Sequence, residues 1–222
     1  MTRMTNRLII AGIVCAISLS ISGCGTENNF LANKTKTVEY YRIFDIKTSA
    51  DVNTISHAAS DGLGRNVNDA SEVTPIPSFS QPPSVPGRFA VTDPFAGTQL
   101  GMMMQGAGSL GLRIATCNGA VWSAKAVRHI AGNNNLNLTA CLFQYKDGYN
   151  LDLYAVFTKE EGGLAQIGRD LASDIVGTPE QWTEKTFLDI VRSINLNTTS
   201  KITLLEAQPT ISGTPWLDKY DK

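Results

Sequence analysis

Histidine and cysteine, which supply many catalytic and metal sites, are scarce in this sequence. The 222 residues include two histidines, His57 and His129, and four cysteines. Neither histidine lies in a G-x-S-x-G or comparable motif, so no hydrolytic nucleophile and base are indicated. Zinc-site spacings of Cys and His are absent, and so is a glycine pattern for binding nucleotide phosphates. Local motifs therefore predict no catalytic residue, no metal site and no cofactor.

A long hydrophobic run is also absent. The apolar segment near the start, residues 8–21, has 14 residues, which is short of the roughly 20 that a helix needs to span a bilayer. It follows Arg3 and Arg7 and leads into two small residues, Ser22 and Gly23. A positive segment, an apolar segment and small residues before a cut are typical of a secretory signal. We therefore expect residues 1–23 to be a cleaved signal peptide.

The stretch Ile21-Ser22-Gly23-Cys24 is an aliphatic residue, two small residues and a cysteine. It resembles the lipobox of bacterial lipoproteins. The resemblance implies that Cys24 becomes the new N-terminus and carries a diacylglyceryl thioether and an N-acyl chain, which together give stable anchoring. Gly25 and not Asp follows the cysteine, and by resemblance to enteric lipoproteins this implies an outer membrane location facing the periplasm. The alternatives are an uncleaved anchor and an ordinary signal peptide.

The chain lacks an excess of charge of either sign. It has 19 basic and 20 acidic residues, of which residues 1–23 hold two basic and no acidic ones. The mature chain therefore has 17 basic and 20 acidic residues, which is a formal charge of about −3. This charge gives no reason to expect nucleic acid or anionic lipid as a partner. The partner that the motif at Cys24 implies is the membrane, reached through the lipid anchor.

The mature chain divides into a tether, a folded domain and a tail. Residues 24–37 are polar after the cysteine and predict a lipidated N-terminus followed by a flexible tether. Residues 38–208 are long enough for one good hydrophobic core and are predicted to form a single domain. Residues 209–222 lack periodicity and are predicted to be a C-terminal tail, which contains Trp216.

Six of the nine prolines lie within residues 73–95. Proline fixes φ and removes a backbone donor, so this segment can be neither a helix nor a central strand. It is either an interdomain linker or an extended arm packed along one domain. The unit before it, residues 38–64, is too small to bury a core alone. We therefore favour the arm, with residues 38–64 joining the sheet of the later residues.

The unit before the arm is predicted to be a strand and a helix. Residues 38–46 are rich in aromatic and β-branched residues, which is typical of a strand. A helix is predicted to follow, capped by Thr48 with Asp51 at the third position and stopped by Gly62 and Gly64. Its apolar face is formed by Val52, Ile55, Ala59 and Leu63.

The strongest structural signal is a β-hairpin over residues 137–158. Asp147-Gly148, a pair favoured in two-residue turns, lies between two alternating segments. If Lys146 faces Tyr149, one side of the ladder pairs apolar residues throughout. These pairs are Leu142 with Leu153, Ala140 with Ala155, and Leu138 with Phe157. The other side carries Cys141, Phe143, Asp152 and Tyr154, so it too is expected to be partly covered.

Two strand candidates precede the hairpin. Residues 122–130 alternate in polarity and lead through an Asn-rich turn into the hairpin, which favours a strand. The same residues are also compatible with a helix capped by Asn118. Residues 112–116 form a further short strand candidate.

Helices are grouped after the hairpin. Apolar spacing predicts one over residues 164–177, and a capping box at Thr178 with Pro179 at the first helical position opens a second. The apolar face of the second helix is formed by Phe187, Ile190, Val191 and Ile194. Residues 201–205 are predicted to return as a last strand. The fold class is α+β: an antiparallel sheet with hairpins and helices packed on one face, plus the proline-rich arm.

Residues 97–111 contain five glycines and all three methionines of the mature chain, Met102, Met103 and Met104. Methionine thioethers can bind Cu(I). However, adjacent residues on a helix point about 100° apart, so the three sulfurs converge poorly on one ion. Core packing or an adaptable apolar contact surface is the better interpretation. These methionines and Trp216 are therefore our candidate partner contacts.

Two cysteines remain for a bridge. Cys15 is removed with the signal and Cys24 is expected to be acylated, so Cys117 and Cys141 form an even pair in an oxidising compartment, which predicts a disulfide. If Asn118-Gly119 makes a tight hairpin, however, the two cysteines lie on opposite faces of the sheet, where they cannot bond. Either a bulge or a bend turns the Cys117 side chain towards Cys141, or the two cysteines remain free thiols. We favour the disulfide.

The leading functional hypothesis is a non-enzymatic envelope lipoprotein, a tethered domain that binds a protein, peptide or lipid partner at the periplasmic face of a membrane. This hypothesis rests on five features: the anchor, the tether, the proline arm, the Met/Gly stretch of residues 97–111 and the tail with its aromatic residues. The lack of a recognisable set of catalytic residues also favours it. The alternative is an envelope hydrolase acting on cell-wall or lipid substrates, since paired acids from distant positions leave no local motif. A deep cleft with convergent Asp, Glu, Tyr or His129 side chains would favour the hydrolase. A shallow apolar groove near the methionines would favour binding.

Substitution of Cys24 tests the anchor. Cys24→Ala removes the acylated sulfur, so we expect the variant to take up no labelled palmitate in a bacterial host, whereas Cys15→Ala, a change within the cleaved signal, leaves labelling intact. Continued labelling of the Cys24→Ala chain would refute the lipobox.

Overall fold

The computed structural model describes residues 34–67, 69–76, 81–106, 113–129, 135–161 and 178–211. Eight strands and three helices lie in these ranges. The strands are β1 (Lys34–Lys47), β2 (Ala70–Val73), β3 (Ala90–Thr92), β4 (Ile114–Thr116), β5 (Trp122–His129), β6 (Asn135–Tyr145), β7 (Gly148–Glu161) and β8 (Lys201–Gln208). The helices are α1 (Val52–Gly64), α2 (Gln99–Gly106) and α3 (Pro179–Asn197). The fold is α+β, as predicted.

Six strands form one antiparallel sheet in the order β2-β5-β6-β7-β1-β8, and β3 and β4 form a separate small sheet. β1 pairs with β7 over all of its 14 residues, from Lys34 opposite Glu161 to Lys47 opposite Gly148. β8 pairs with the other edge of β1, starting with Lys201 opposite Lys47. The first described strand, β1, therefore lies between the last two described strands, β7 and β8. It also begins four residues before the predicted Val38, so residues 34–37 belong to the sheet and not to the tether.

Helices α1 and α3 pack against each other and cover one face of the large sheet. The helices approach closely at Gly62, where a Cβ would lie 2.5 Å from the carbonyl oxygen of Asp189. The predicted apolar face of α3 is buried at Phe187, Ile190 and Ile194, each with no exposed surface. Within the described ranges, no helix is both long enough and apolar enough to cross a bilayer.

The helix starts show one correction and one confirmation. The N-cap of α1 is Asp51, whose Oδ1 accepts a hydrogen bond from the backbone N–H of Thr54 at 3.0 Å, and not Thr48. β1 continues to Lys47, so Thr48 lies in the connection and its hydroxyl donates to the carbonyl oxygen of Thr199 at 3.2 Å. The capping box at Thr178 is present as predicted.

The hairpin of β6 and β7 is present, but its register differs from the prediction by two residues. Tyr145 lies opposite Gly148, and Leu142 lies opposite Leu151, two residues earlier than expected. Gly148 has a φ of 144°, and a Cβ there would lie 2.1 Å from the carbonyl oxygen of Ile46. Glycine is thus required at the start of β7, where β1 approaches, and not within the turn. Because side chains alternate with a period of two, this shift leaves every residue on its predicted face.

The remaining element predictions have mixed outcomes. Residues 122–129 form a strand and not a helix, and the last strand runs to Gln208, beyond the predicted end. The helix predicted over residues 164–177 lies outside the described residues, as does Trp216. Residues 77–80 within the proline-rich segment also lie outside them, so one continuous arm stays a prediction.

The second face of the large sheet is covered by residues 81–89 and by the small sheet of β3 and β4. The carbonyl oxygen of Pro83 accepts a hydrogen bond from the backbone N–H of Lys146 at 2.9 Å. Gly87 packs on the ring of Phe143, where a Cβ would lie 2.6 Å from Cδ1. Residues 87–89 and β3 then continue along this face, so the sheet is covered on both faces around Phe143 and Asp152, while Lys125 and Val127 of β5 stay exposed.

The disulfide between Cys117 and Cys141 is present, with a Cα–Cα distance of 5.4 Å. The expected obstacle does not arise because Cys117 follows β4, which belongs to the small sheet lying over Cys141. The turn at Asn118-Gly119, where Gly119 has a φ of 83°, connects the two sheets and does not join neighbouring strands of one sheet.

Removal of the disulfide should destabilise the domain markedly. For a loop of this size the chain-entropy relation gives about 3.5 kcal/mol. We expect Cys117→Ala/Cys141→Ala to lower the free energy of unfolding by roughly this amount in urea titrations. When wild-type protein is titrated with urea in the presence of a reductant, its free energy of unfolding should equal that of the variant. Two alkylatable thiols in the non-reduced mature protein would contradict the bond.

Candidate functional site

A buried polar strip runs along the second face of the large sheet. It includes Asn150, Asp152 and Tyr154, which alternate along β7, and all three are at most 3% exposed. Asp152 Oδ2 accepts a hydrogen bond from the backbone N–H of Phe89 at 2.9 Å. Asp152 Oδ1 and Asn150 Oδ1 have no hydrogen-bond partner among the described residues. The strip therefore holds a carboxylate whose burial is compensated on one oxygen only.

Burial raises the pKa of Asp152 to about 6, against an ordinary value of 3.8. The hydrogen bond from Phe89 and the charge of Arg88 act in the opposite direction, while Glu206 adds to the rise. A buried carboxylate that keeps an incomplete set of hydrogen bonds is costly to ionise. Asp152 therefore titrates in the weakly acidic range.

A second network ties the small sheet to β1 on the same face. Glu39 Oε1 accepts hydrogen bonds from the Tyr154 hydroxyl at 2.8 Å and from Arg113 Nε at 2.7 Å. Burial raises the pKa of Glu39, but the hydrogen bonds from Arg113 and Tyr154 outweigh it and the pKa lies below the ordinary value. Burial also raises the pKa of Tyr154, so this hydroxyl stays protonated. The network is a fixed charge-assisted contact.

A surface concavity lies beside β8. This groove, called the β8 groove here, has a volume of about 310 Å³. It is lined by Tyr41, Leu204, Leu205, Glu206, Ala207, Thr210 and Ile211. The pairing of β8 with β1 shifts between Leu204 and Glu206, so Leu205 has no partner residue on β1 and is 50% exposed. The bulge thus directs an apolar side chain into the wall of the groove.

The polar residues beside the β8 groove are fixed by neighbours. Glu206 Oε1 forms an ion pair with Arg88 Nη2 at 2.9 Å. The ring of Tyr41 lies beside that of Phe89 in a tilted arrangement, with centroids 6.0 Å apart, and the Phe89 ring lies 5.5 Å from that of Tyr154. Residues 88–89 therefore connect the groove with the buried polar strip.

Met102 and Met103, two of the sequence-predicted contact residues, do not line the β8 groove. Met102 and Met103 lie on α2 and are 63% and 73% exposed. Met104 also lies on α2, whereas Trp216 and Cys24 lie outside the described residues. The groove itself was missed because β8 joins β1 from a distance of about 160 residues, and no local pattern reports such a pairing. The one available signal was the uncharged run Ile202-Thr203-Leu204-Leu205 in a predicted last strand.

The chemistry of these sites differs. The β8 groove contains one carboxylate, Glu206, and Asp152 is wholly buried. The described part of the chain contains no group of three or more His, Cys, Asp or Glu side chains placed to hold a metal ion. The groove offers apolar contact and hydrogen bonding to a ligand that enters from the side of β8.

Comparison of the chain with protein-family models, with curated proteins and with solved structures found no match.

Substitution of Asp152 tests its buried charge. Because the folded pKa lies above the unfolded value, the folded state binds more protons between about pH 4 and pH 6, and stability falls as the pH rises through this window. The shift corresponds to about 3 kcal/mol at 1.36 kcal/mol per pKa unit. Asp152→Asn keeps an acceptor for the Phe89 N–H and should abolish this fall, measured as the free energy of unfolding against pH.

The control is Asp61→Asn, at an exposed position of α1. This variant should keep the wild-type pH dependence. An unchanged fall in stability between pH 4 and pH 6 in Asp152→Asn would show that another group is responsible.

Proposed function

We propose that this chain is a lipid-anchored binding module of the bacterial cell envelope, and that it binds an extended segment of an envelope protein at the outer edge of β8. The observation that carries the proposal is the β8 groove of about 310 Å³ beside an edge strand. The lipobox supports the location, at the outer membrane facing the periplasm. The proposal is of a binding protein and not of an enzyme.

The two edges of the large sheet differ in a way that favours β8. β2 has four residues, is followed by Pro75, and carries Glu72, which accepts hydrogen bonds from Trp122 Nε1 and the Ser60 hydroxyl. A short edge ended by proline is protected against pairing with another chain. β8 has eight residues and is uncharged from Ile202 to Leu205. Among the described residues, only β1 pairs with it.

An extended polypeptide suits this edge better than a compact small molecule does. A segment added to a sheet edge is held by main-chain hydrogen bonds and places alternate side chains into neighbouring pockets. The β8 groove is at the small end of ligand cavities, which span roughly 300 to 1,000 Å³, so it accommodates one or two side chains. Leu205 and Ile211 supply apolar contact, and Thr210 supplies a hydroxyl. Met102 and Met103 of α2 remain candidate contacts outside the groove, and Trp216 also remains a candidate contact.

Site-specific crosslinking tests this function. A photo-crosslinking amino acid at position 205 of the anchored chain should form one reproducible protein adduct in intact cells, because Leu205 lies in the groove wall. The same amino acid at Val127, a 47% exposed position on the interior strand β5, should not form it. Adducts are read by mass spectrometry.

Charge substitutions complete the test. Leu205→Lys places a charge in the groove wall and should weaken capture of that partner at least about tenfold, equivalent to 1.4 kcal/mol. Val127→Lys should leave capture unchanged. Equal adducts from both positions, or a partner that Leu205→Lys retains, would count against the β8 edge.

A further inference from the structure

Helix α2 presents three apolar side chains to solvent. Leu100 is 49% exposed, Met102 63% and Met103 73%. The surrounding sequence is uncharged, since no Asp, Glu, Lys, Arg or His occurs in residues 94–112. Single exposed apolar residues are common on proteins, whereas a group of them on one short helix marks a contact surface. We call Leu100, Met102 and Met103 the α2 surface.

The local structure holds these side chains outward. The Thr98 hydroxyl accepts a hydrogen bond from the backbone N–H of Gly101 at 3.1 Å and donates one to the carbonyl oxygen of Phe95 at 2.7 Å. Gly101 is buried, and a Cβ there would lie 2.1 Å from the same carbonyl oxygen. The helix is thus fixed on its Gly101 side.

The strand register places the connection that contains α2 at the end of the domain where β1 begins. β4 runs from the Arg113 end, held 2.7 Å from Glu39, towards Cys117, which bonds Cys141. Cys141 lies opposite Asp152, which lies opposite Ile43. Cys117 is therefore level with Ile43 in the middle of β1, and Arg113 is level with Glu39, nearer the start of β1. Going from Cys117 back to Arg113 along β4 leads towards the start of β1. α2 lies in the connection between β3 and β4, which leaves and re-enters the small sheet at the paired residues Thr92 and Ile114, next to Arg113.

The same end of the domain is the one nearest the expected anchor. Nine residues, 25–33, separate Cys24 from the first residue of β1. Ten steps of roughly 3.5 Å give a reach of at most about 35 Å, which is shorter than the roughly 45 Å length of a 14-residue strand. A chain held at Cys24 therefore cannot stand with the start of β1 farthest from the bilayer, so the start of β1, and with it the connection that contains α2, is the end of the domain that can meet the membrane.

From this geometry we propose that the α2 surface lies in the headgroup region of the membrane that holds Cys24. The inference rests on the lipid anchor of the proposed function and adds a second, non-covalent contact with the same bilayer. Apolar side chains without neighbouring charges lose little on entering the interface. Residues 94–112 carry no charged residue, and Lys34, Lys36 and Lys159 at the same end of the sheet are largely offset by Glu160 and Glu161, so the contact should depend little on anionic lipid or salt.

A fluorescent probe on the α2 surface tests the contact. With Cys24 acylated and Cys117 bonded to Cys141, Met103→Cys supplies the one free thiol of the mature chain for an environment-sensitive dye. The lipidated chain is reconstituted into vesicles of phosphatidylethanolamine and phosphatidylglycerol that contain nitroxide-labelled lipid. We expect the dye at position 103 to shift to the blue and to be quenched by the nitroxide lipid, equally at low and high salt.

The matched control is Leu196→Cys. Leu196 is 76% exposed and precedes β8, whose Lys201 lies opposite Lys47 at the far end of β1. A dye at this position should keep its aqueous emission and escape quenching. Equal quenching at positions 103 and 196, or none at either, would overturn the proposal. A photo-crosslinking amino acid at position 103 that forms adducts with protein and not with lipid would also overturn it.

Lipid labelling separates this inference from the anchor on which it rests. If Cys24 is labelled and position 103 is not quenched, the α2 contact is wrong while the tethered function stands. If Cys24 takes no label, the anchor fails, and flotation of the unlipidated chain with the same vesicles decides the contact. Flotation lost in Leu100→Ser/Met102→Gln/Met103→Gln would support it, and equal flotation of wild type and variant would refute it.

Discussion

The antiparallel ladder between β1 and β7 is the interaction on which the rest of the structure depends. It pairs all 14 residues of β1 and so joins the first described element to the hairpin of β6 and β7, about 90 residues later in the chain. The other edge of β1 is then available to β8. Because side chains alternate, the ladder directs Phe44 and Leu153 towards the helices and Glu39 and Asp152 towards the small sheet. Both covering layers are aligned by the same two strands.

The helix-covered face includes an ion pair between a buried arginine and a partly exposed glutamate. Arg42 is 1% exposed, contacts Glu184 of α3, and donates hydrogen bonds to the carbonyl oxygens of Tyr41 and Gln208, both at 2.8 Å. Burial lowers the pKa of Arg42 and raises that of Glu184, so each group loses solvation that the other partly replaces. Such a pair adds little net stability, and we interpret its role as registration of β1, β8 and α3. It fixes the end of β8 beside the groove.

Sequence patterns predicted the elements better than their partners. The hairpin, the capping box at Thr178 and the fold class follow from spacings of a few residues, and the structure confirms them. The register of the hairpin was two residues wrong because Gly148 is required by the approach of Ile46, a contact over about 100 residues. The sequence left open whether Cys117 lies on the same side of the sheet as Cys141, because no local pattern indicates that β4 belongs to a second sheet. The β8 groove likewise forms only when β8 pairs with β1, which is distant in sequence.

The position of the groove relative to the tether limits what can reach it. Tyr41, in the groove wall, lies seven residues along β1 from Lys34, which is about 23 Å at 3.3 Å per residue. If Cys24 is anchored as proposed, the groove lies no more than about 60 Å from the bilayer when the tether is fully extended. Contact of α2 with the lipid would bring it closer by most of the tether length. A partner segment would then have to emerge near the membrane, and a tethered module would meet it at high effective concentration without needing high intrinsic affinity.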